Sequence, residues 1–125
     1  MGFQFSKPEP FKLKLTDKVY ELFDPFAPAI VSAQDKVLDF AAKIEAYEKD
    51  KTPESLERAF MVCRNFINEL LGDETYDDIF QPEHKMLTFH VELMQYIMQE
   101  VNKFRLERLS HIYNIPAEAI EEVSE

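Results

Sequence analysis

From residue 11 apolar and polar positions alternate, and from residue 25 the apolar positions step by three and four. The first rhythm is that of a half-buried strand and the second that of amphipathic helices. Phe11, Leu13 and Leu15 fall on one side of the predicted strand and Lys12 and Lys14 on the other. Thr16-Asp17 turns the chain, and residues 18–23 return as a second strand, giving a strand region over 11–23. A lone hairpin is marginal in water, so its apolar face must lie on helices or pair with another chain.

Asp24-Pro25 offers a cap followed by a proline, which predicts a helix over 25–49. Ile30, Ala33, Val37, Phe40, Ala41, Ile44 and Tyr47 form its buried stripe. Thr52-Pro53 repeats the signal and opens a helix over 53–71. Leu56, Ala59, Phe60, Cys63, Phe66, Ile67, Leu70 and Leu71 share a wide face there, and Gly72 ends the helix. Residues 74–80 make a single turn that returns Tyr76, Ile79 and Phe80 to the core. After Pro82 a long helix spans 83–113, with Leu87, Val91, Met94, Ile97, Met98, Val101, Phe104, Leu109 and Ile112 inward. About 30 residues of helix reach roughly 45 Å, more than a domain of this size needs, so one end projects or meets a neighbour. Asn114 and Pro116 mark the break to a short C-terminal helix over 116–123. Residues 1–10, with Pro8 and Pro10 around Glu9, read as a flexible arm. The fold class is mainly α: a small helical bundle of three to five helices with a short N-terminal β-hairpin, one domain over 11–125.

Composition narrows the function. The chain has 125 residues, 46% apolar, which is enough for one buried core. Two glycines, Gly2 and Gly72, leave no phosphate-cradling loop. The single cysteine, Cys63, excludes an internal disulfide, reads as a small core hydrophobe, and suits a reducing compartment. No apolar run approaches the roughly 20 residues of a membrane span, and the N-terminus lacks the apolar core of a secretory leader. A net charge of −10 disfavours nucleic acid. Residues 1–18 carry four lysines (Lys7, Lys12, Lys14, Lys18) against two acids, a surplus of +2 that leaves −12 on the rest. Residues 69–83 hold six acids and no base. A basic arm beside an acidic body permits head-to-tail association between copies; a solvated acidic surface is the simpler alternative.

Candidate chemistry is sparse. His84 and His90 are six apart and fall on different helix faces; Glu107 and His111 share one, but two ligands do not make a metal site. Asp73, Asp77 and Asp78 lack the spacing of a calcium loop. No Ser–His–Asp or Cys–His pair can be argued from the sequence. The expectation is therefore no catalytic, cofactor-binding or metal residue, and no enzyme. Met86, Met94 and Met98 on the third long helix fit either core packing or an adaptable binding groove.

One run has a familiar form: Cys63-Arg64-Asn65-Phe66-Ile67-Asn68-Glu69-Leu70-Leu71-Gly72-Asp73-Glu74-Thr75, then Ile79-Phe80. Together with Leu22-Phe23-Asp24 ahead of the first long helix, it resembles the tail assembly chaperones of long-tailed, siphovirus-type phages of Gram-positive hosts. The resemblance covers roughly residues 11–105, and it has one glycine at the turn where the family pattern often has two. It implies a helical fold that coats the tape measure protein and brings tail tube subunits to it. It also implies self-association into spirals, a place in the host cytoplasm during assembly, and absence from the mature virion. A small acidic regulator, an antitoxin-like protein or inhibitor masking a basic partner, is the competing expectation.

Overall fold

A computed structural model describes residue 2 and residues 10–82 and 85–113, the last three of them by backbone alone. Within these the chain is mainly helical, with a two-stranded antiparallel hairpin followed by five helices. Strands β1 (Phe11–Leu15) and β2 (Lys18–Leu22) pair with Phe11 opposite Leu22, Leu13 opposite Tyr20 and Leu15 opposite Lys18. Leu13, Leu15 and Leu22 are buried while Lys12 and Lys14 are exposed, as the alternation requires. The two-residue loop makes Leu15 and Lys18 a hydrogen-bonded pair, so the carbonyl of Lys14 points away from β2. Tyr96 takes it, its hydroxyl donating to Lys14 O at 3.2 Å. The ring of Phe11 meets that of Phe104 at 5.2 Å between centroids, and these two contacts seat the hairpin on the long helix.

The expected helix over 25–49 is instead two helices, α1 (Pro28–Val31) and α2 (Ala33–Asp50). Asp24 caps a turn, not a helix: its Oδ1 accepts from Phe26 N at 2.9 Å and its carbonyl accepts from Ala27 N at 3.2 Å. Pro28 therefore takes the first helical position that the sequence offered to Pro25. Ser32, at φ −88° and ψ 2°, separates α1 from α2. Along α2, Phe40 is buried and Val37, Ile44 and Tyr47 are half-buried, but Ala41 is exposed, about 100° round the helix from Phe40. Lys51, at φ 55° and ψ 34°, closes α2 in the left-handed conformation and bonds back to Tyr47 O.

Helix α3 (Pro53–Leu71) begins where the sequence placed it. The side chain of Thr52 accepts from Ser55 N at 3.2 Å, and Ser55 Oγ donates to Thr52 O at 3.0 Å, which lets Ser55 be buried. Gly72 ends α3, its N–H bonded to Asn68 O at 2.9 Å. It lies at φ 116° and ψ 156°, outside the left-handed helical basin; that basin is taken by Glu74 at φ 70°. Helix α4 (Thr75–Ile79) is the expected single turn, with Tyr76 and Phe80 in the core.

The long helix, α5 (Leu87–Tyr113), starts four residues later than the expected 83. Met86 O is the first acceptor, bonded by Phe89 N and His90 N, whereas Lys85 N reaches only Pro82 O, in a separate turn. Among the described side chains Phe104 is the last buried one along α5, and Leu106 and Leu109 beyond it are half-buried without joining the central cluster; the side chain of Ile112, expected inward, lies outside the described residues. The 116–123 helix, and the arm over 1–10 apart from Gly2 and Pro10, lie outside the described residues.

A Cβ at Gly72 would meet nothing closer than Thr75 Oγ1 at 3.8 Å, so space is not the constraint there. The backbone is, because that conformation is nearly restricted to glycine and costs other residues about 1–3 kcal/mol. Gly72→Ala is expected to lower the melting temperature by several degrees with the helical circular dichroism retained; an unchanged melting temperature would count against this helix end.

Candidate interaction surfaces and a buried polar cluster

Three patches of the surface expose large apolar side chains. The first follows β2: Phe23 is 48% exposed and Phe26 50%. Phe23 lines a cleft of about 390 Å³ with Leu22, Ala27, Ile30 and Leu70, and the acids Glu21, Asp24 and Glu69 line it too. The second lies where the hairpin turn meets α4 and α5, between Leu15, Ile79, Phe89, Leu93 and Tyr96. The third is on the outer side of α2 and α3, where Leu38 and Met61 are exposed. Val19, on the outward face of the hairpin, is 54% exposed beside Lys12 and Lys14.

The acidic 69–83 segment is partly used within the chain. Lys18 Nζ lies 3.1 Å from Asp78 Oδ2 and Arg64 lies 3.7 Å from Asp77, both on exposed side chains. One of the four basic residues read as complementing that segment in another copy thus already complements it at home. The Asp78 hydrogen bond and charge hold the Lys18 ammonium's pKa above its ordinary value. The methionines divide: Met94 is buried, Met98 half-buried and Met86 exposed. They form no single groove.

The titratable groups inside the protein cluster against the middle of α3. Cys63 is fully buried, and burial pushes its thiol up to about 12. His90 is also fully buried. Its Nδ1 is 2.7 Å from Met86 O, and a carbonyl can only accept, so Nδ1 carries the proton. Nε2 of the neutral ring then accepts, and the Tyr76 hydroxyl donates to it at 2.6 Å. The imidazole is stacked between Phe60, 4.3 Å away, and Phe80, 3.9 Å away. Burial pushes the ionisation of His90 below its ordinary range, Lys85 adding to the effect while the Met86 carbonyl and Glu57 oppose it. Burial, with Cys63, Glu57 and Asp77 nearby, holds the Tyr76 proton well above the ordinary tyrosine range. Sequence reasoning weighed His90 only as a metal ligand and missed this role. The available signal was its position four residues before Met94, on the stripe that continues through Ile97, Val101 and Phe104.

Among the described residues no group of three or more His, Cys, Asp or Glu side chains is placed to hold a metal ion. His84 and the side chain of His111 lie outside the described residues. Asp73, Asp77 and Asp78 are exposed. Among the described residues no helix is long and apolar enough to cross a membrane. The features together are those of a mainly helical domain with an N-terminal hairpin and, beside it, a cleft lined by apolar side chains and acids. No protein-family model, no curated protein and no solved structure matches the chain.

Tyr76→Phe removes the only described donor to Nε2 of His90 and leaves a buried acceptor unpaired. A cost of about 1–3 kcal/mol is expected, read as a lower midpoint of urea unfolding with an unchanged slope. No change in midpoint would mean that water reaches the ring.

Proposed function

We propose that the chain is a tail assembly chaperone of a long-tailed phage. In this reading it coats the tape measure protein, helps recruit tail tube subunits in the host cytoplasm, and is absent from the mature virion. The observation that carries the reading is a meeting of two distant runs. Leu22-Phe23-Asp24 and the 63–80 segment, which bear the sequence resemblance, contribute to one cleft through Leu22, Phe23, Asp24, Glu69 and Leu70. Exposed aromatic rings beside three carboxylates suit a helical segment that presents apolar and basic side chains together. Burial of Cys63, and of His90 with both ring nitrogens engaged, agrees with a role in binding and not in catalysis.

The test is a search beside this gene for a very long, coiled-coil-rich reading frame and co-expression with its product; no such frame alongside would count against the reading. The two proteins are expected to purify together, and Phe23→Ser with Phe26→Ser to weaken the complex at least about tenfold with the helical signal intact. Failure to purify together overturns the reading, and full binding by the variant removes the cleft from it. Capture of a small basic protein encoded alongside would instead favour an acidic inhibitor.

Self-association belongs to the same proposal. The alternation that turns the Lys14 carbonyl outward on β1 turns the N–H and C=O of Val19 and Glu21 outward on β2, an edge able to pair with another chain. A head-to-tail contact of this kind need not close, so a spiral is as natural as a ring. Sedimentation of the intact chain is expected to show concentration-dependent assembly that weakens on removal of residues 1–10. A strictly monomeric intact chain at high concentration, in low and high salt alike, would defeat it.

A further inference from the structure

His90 touches three elements, α3, α4 and α5. Its ring is stacked on Phe60 of α3 and Phe80 at the end of α4, its Nε2 holds Tyr76 of α4, and its Nδ1 holds the carbonyl that opens α5. Each of these contacts is available to the neutral ring. A protonated ring presents N–H on both nitrogens, so Nε2 would donate to the Tyr76 oxygen, and the buried Tyr76 O–H would lose its only described acceptor.

Among the described residues little would compensate a cation. The charged and titratable groups around the pair are Glu57, Cys63 and Arg64 on α3, Tyr76 and Asp77 on α4, and Lys85 ahead of α5. No carboxylate bonds to the imidazole, and Glu57 and Asp77 are solvent-exposed. The stacked rings would ordinarily favour a cation between them. Here the ring of Phe60 already has the Lys85 ammonium 5.5 Å from its centroid. His90 also sits at the start of a 27-residue helix, where the backbone dipole opposes positive charge.

We propose that the Tyr76–His90 contact is an acid-sensitive latch: uptake of one proton from solvent at Nε2 of His90 reverses this buried hydrogen bond, leaves a cation and an unpaired hydroxyl donor in the core, and so loosens α4 and exposes Cys63. No covalent bond changes; the proton enters the imidazole, and the Tyr76 hydroxyl must turn to another acceptor. Movement of α4 is bounded on its N-terminal side by Gly72, whose backbone stands at φ 116°. The latch engages fully above the ordinary histidine range. Its contribution is lost as pH falls below about 6.5, because the opened form takes up the proton there while the closed form resists it. This inference is independent of the identity of the partner.

Cys63 reports the opening. Its labelling by a dipyridyl disulfide, a reagent that attacks thiols in acid as well as at neutral pH, is compared between the wild-type protein and the Tyr76→Phe/His90→Phe double variant. The double variant keeps an aromatic ring between Phe60 and Phe80 and lacks the titrating group. The wild-type rate relative to the variant is expected to rise as pH is lowered from about 7.5 to 5, by up to about tenfold per pH unit. A ratio that stays flat overturns the proposal. Should the double variant not fold, the wild-type protein alone decides. The imidazole of His90, followed by NMR, is expected to titrate together with the loss of hydrogen-exchange protection in residues 75–80. Titration of His90 with those amides still protected overturns the latch.

Discussion

Helix α3 has an apolar face too wide for any single neighbour to cover. Ala59, Phe60, Cys63, Phe66 and Ile67 are all buried along it, and Leu56, Val62, Leu70 and Leu71 are half-buried on its flanks. Leaving a side chain such as Phe66 in water would forgo roughly 1.5–3 kcal/mol, so the remaining elements are arranged to close around this helix. Helix α2 packs on it most extensively, and α1, α4 and α5 each contact it as well. The hairpin then covers what the helices leave open, with Leu13 and Leu15 inserted into the same cluster.

That arrangement accounts for the polar groups found inside. Helix α4 has five residues, too few to stay helical without tertiary contacts, and it is placed by side chains instead. Asn68 Oδ1 accepts from Tyr76 N at 3.0 Å, and the Tyr76 hydroxyl reaches across to His90. Three aromatic rings and one imidazole thus fasten a segment that apolar burial alone would hold weakly. The arrangement is satisfied only with the ring neutral, which ties the seating of α4 to the protonation of a single nitrogen.

The outer surfaces divide by chemistry. Acids occupy the turn after α3 and part of the lining of the cleft next to β2, while the outward face of the hairpin carries Lys12 and Lys14. Exposed Val19 stands opposite Lys14 on the hairpin, and exposed Phe23 lines the cleft with Glu21, Asp24 and Glu69, so apolar contact area accompanies charge of either sign. Surface charge there governs orientation and rate of encounter more than affinity, which the aromatic rings would supply.

Periodicity in the sequence determined the hairpin and its inward face, the course of α3, the single turn of α4 and the stripe from Met94 to Phe104. These depend on repeats of two or of three to four residues, and side-chain burial follows such repeats wherever one face is covered. Helix beginnings were less legible, because the cap-and-proline signal at Asp24-Pro25 is followed three residues later by a second proline, Pro28, after Ala27, which has no capping side chain. The choice fell to a side-chain bond from Asp24 to the backbone of Phe26. The cleft was not legible at all, since Leu22 and Leu70 are 48 positions apart and only packing brings them together. The same holds for the Tyr76–His90 bond. The alphabet shows a histidine on an apolar stripe, but its partner, its tautomer and its neutral state are set by groups that the tertiary fold alone places within hydrogen-bonding distance.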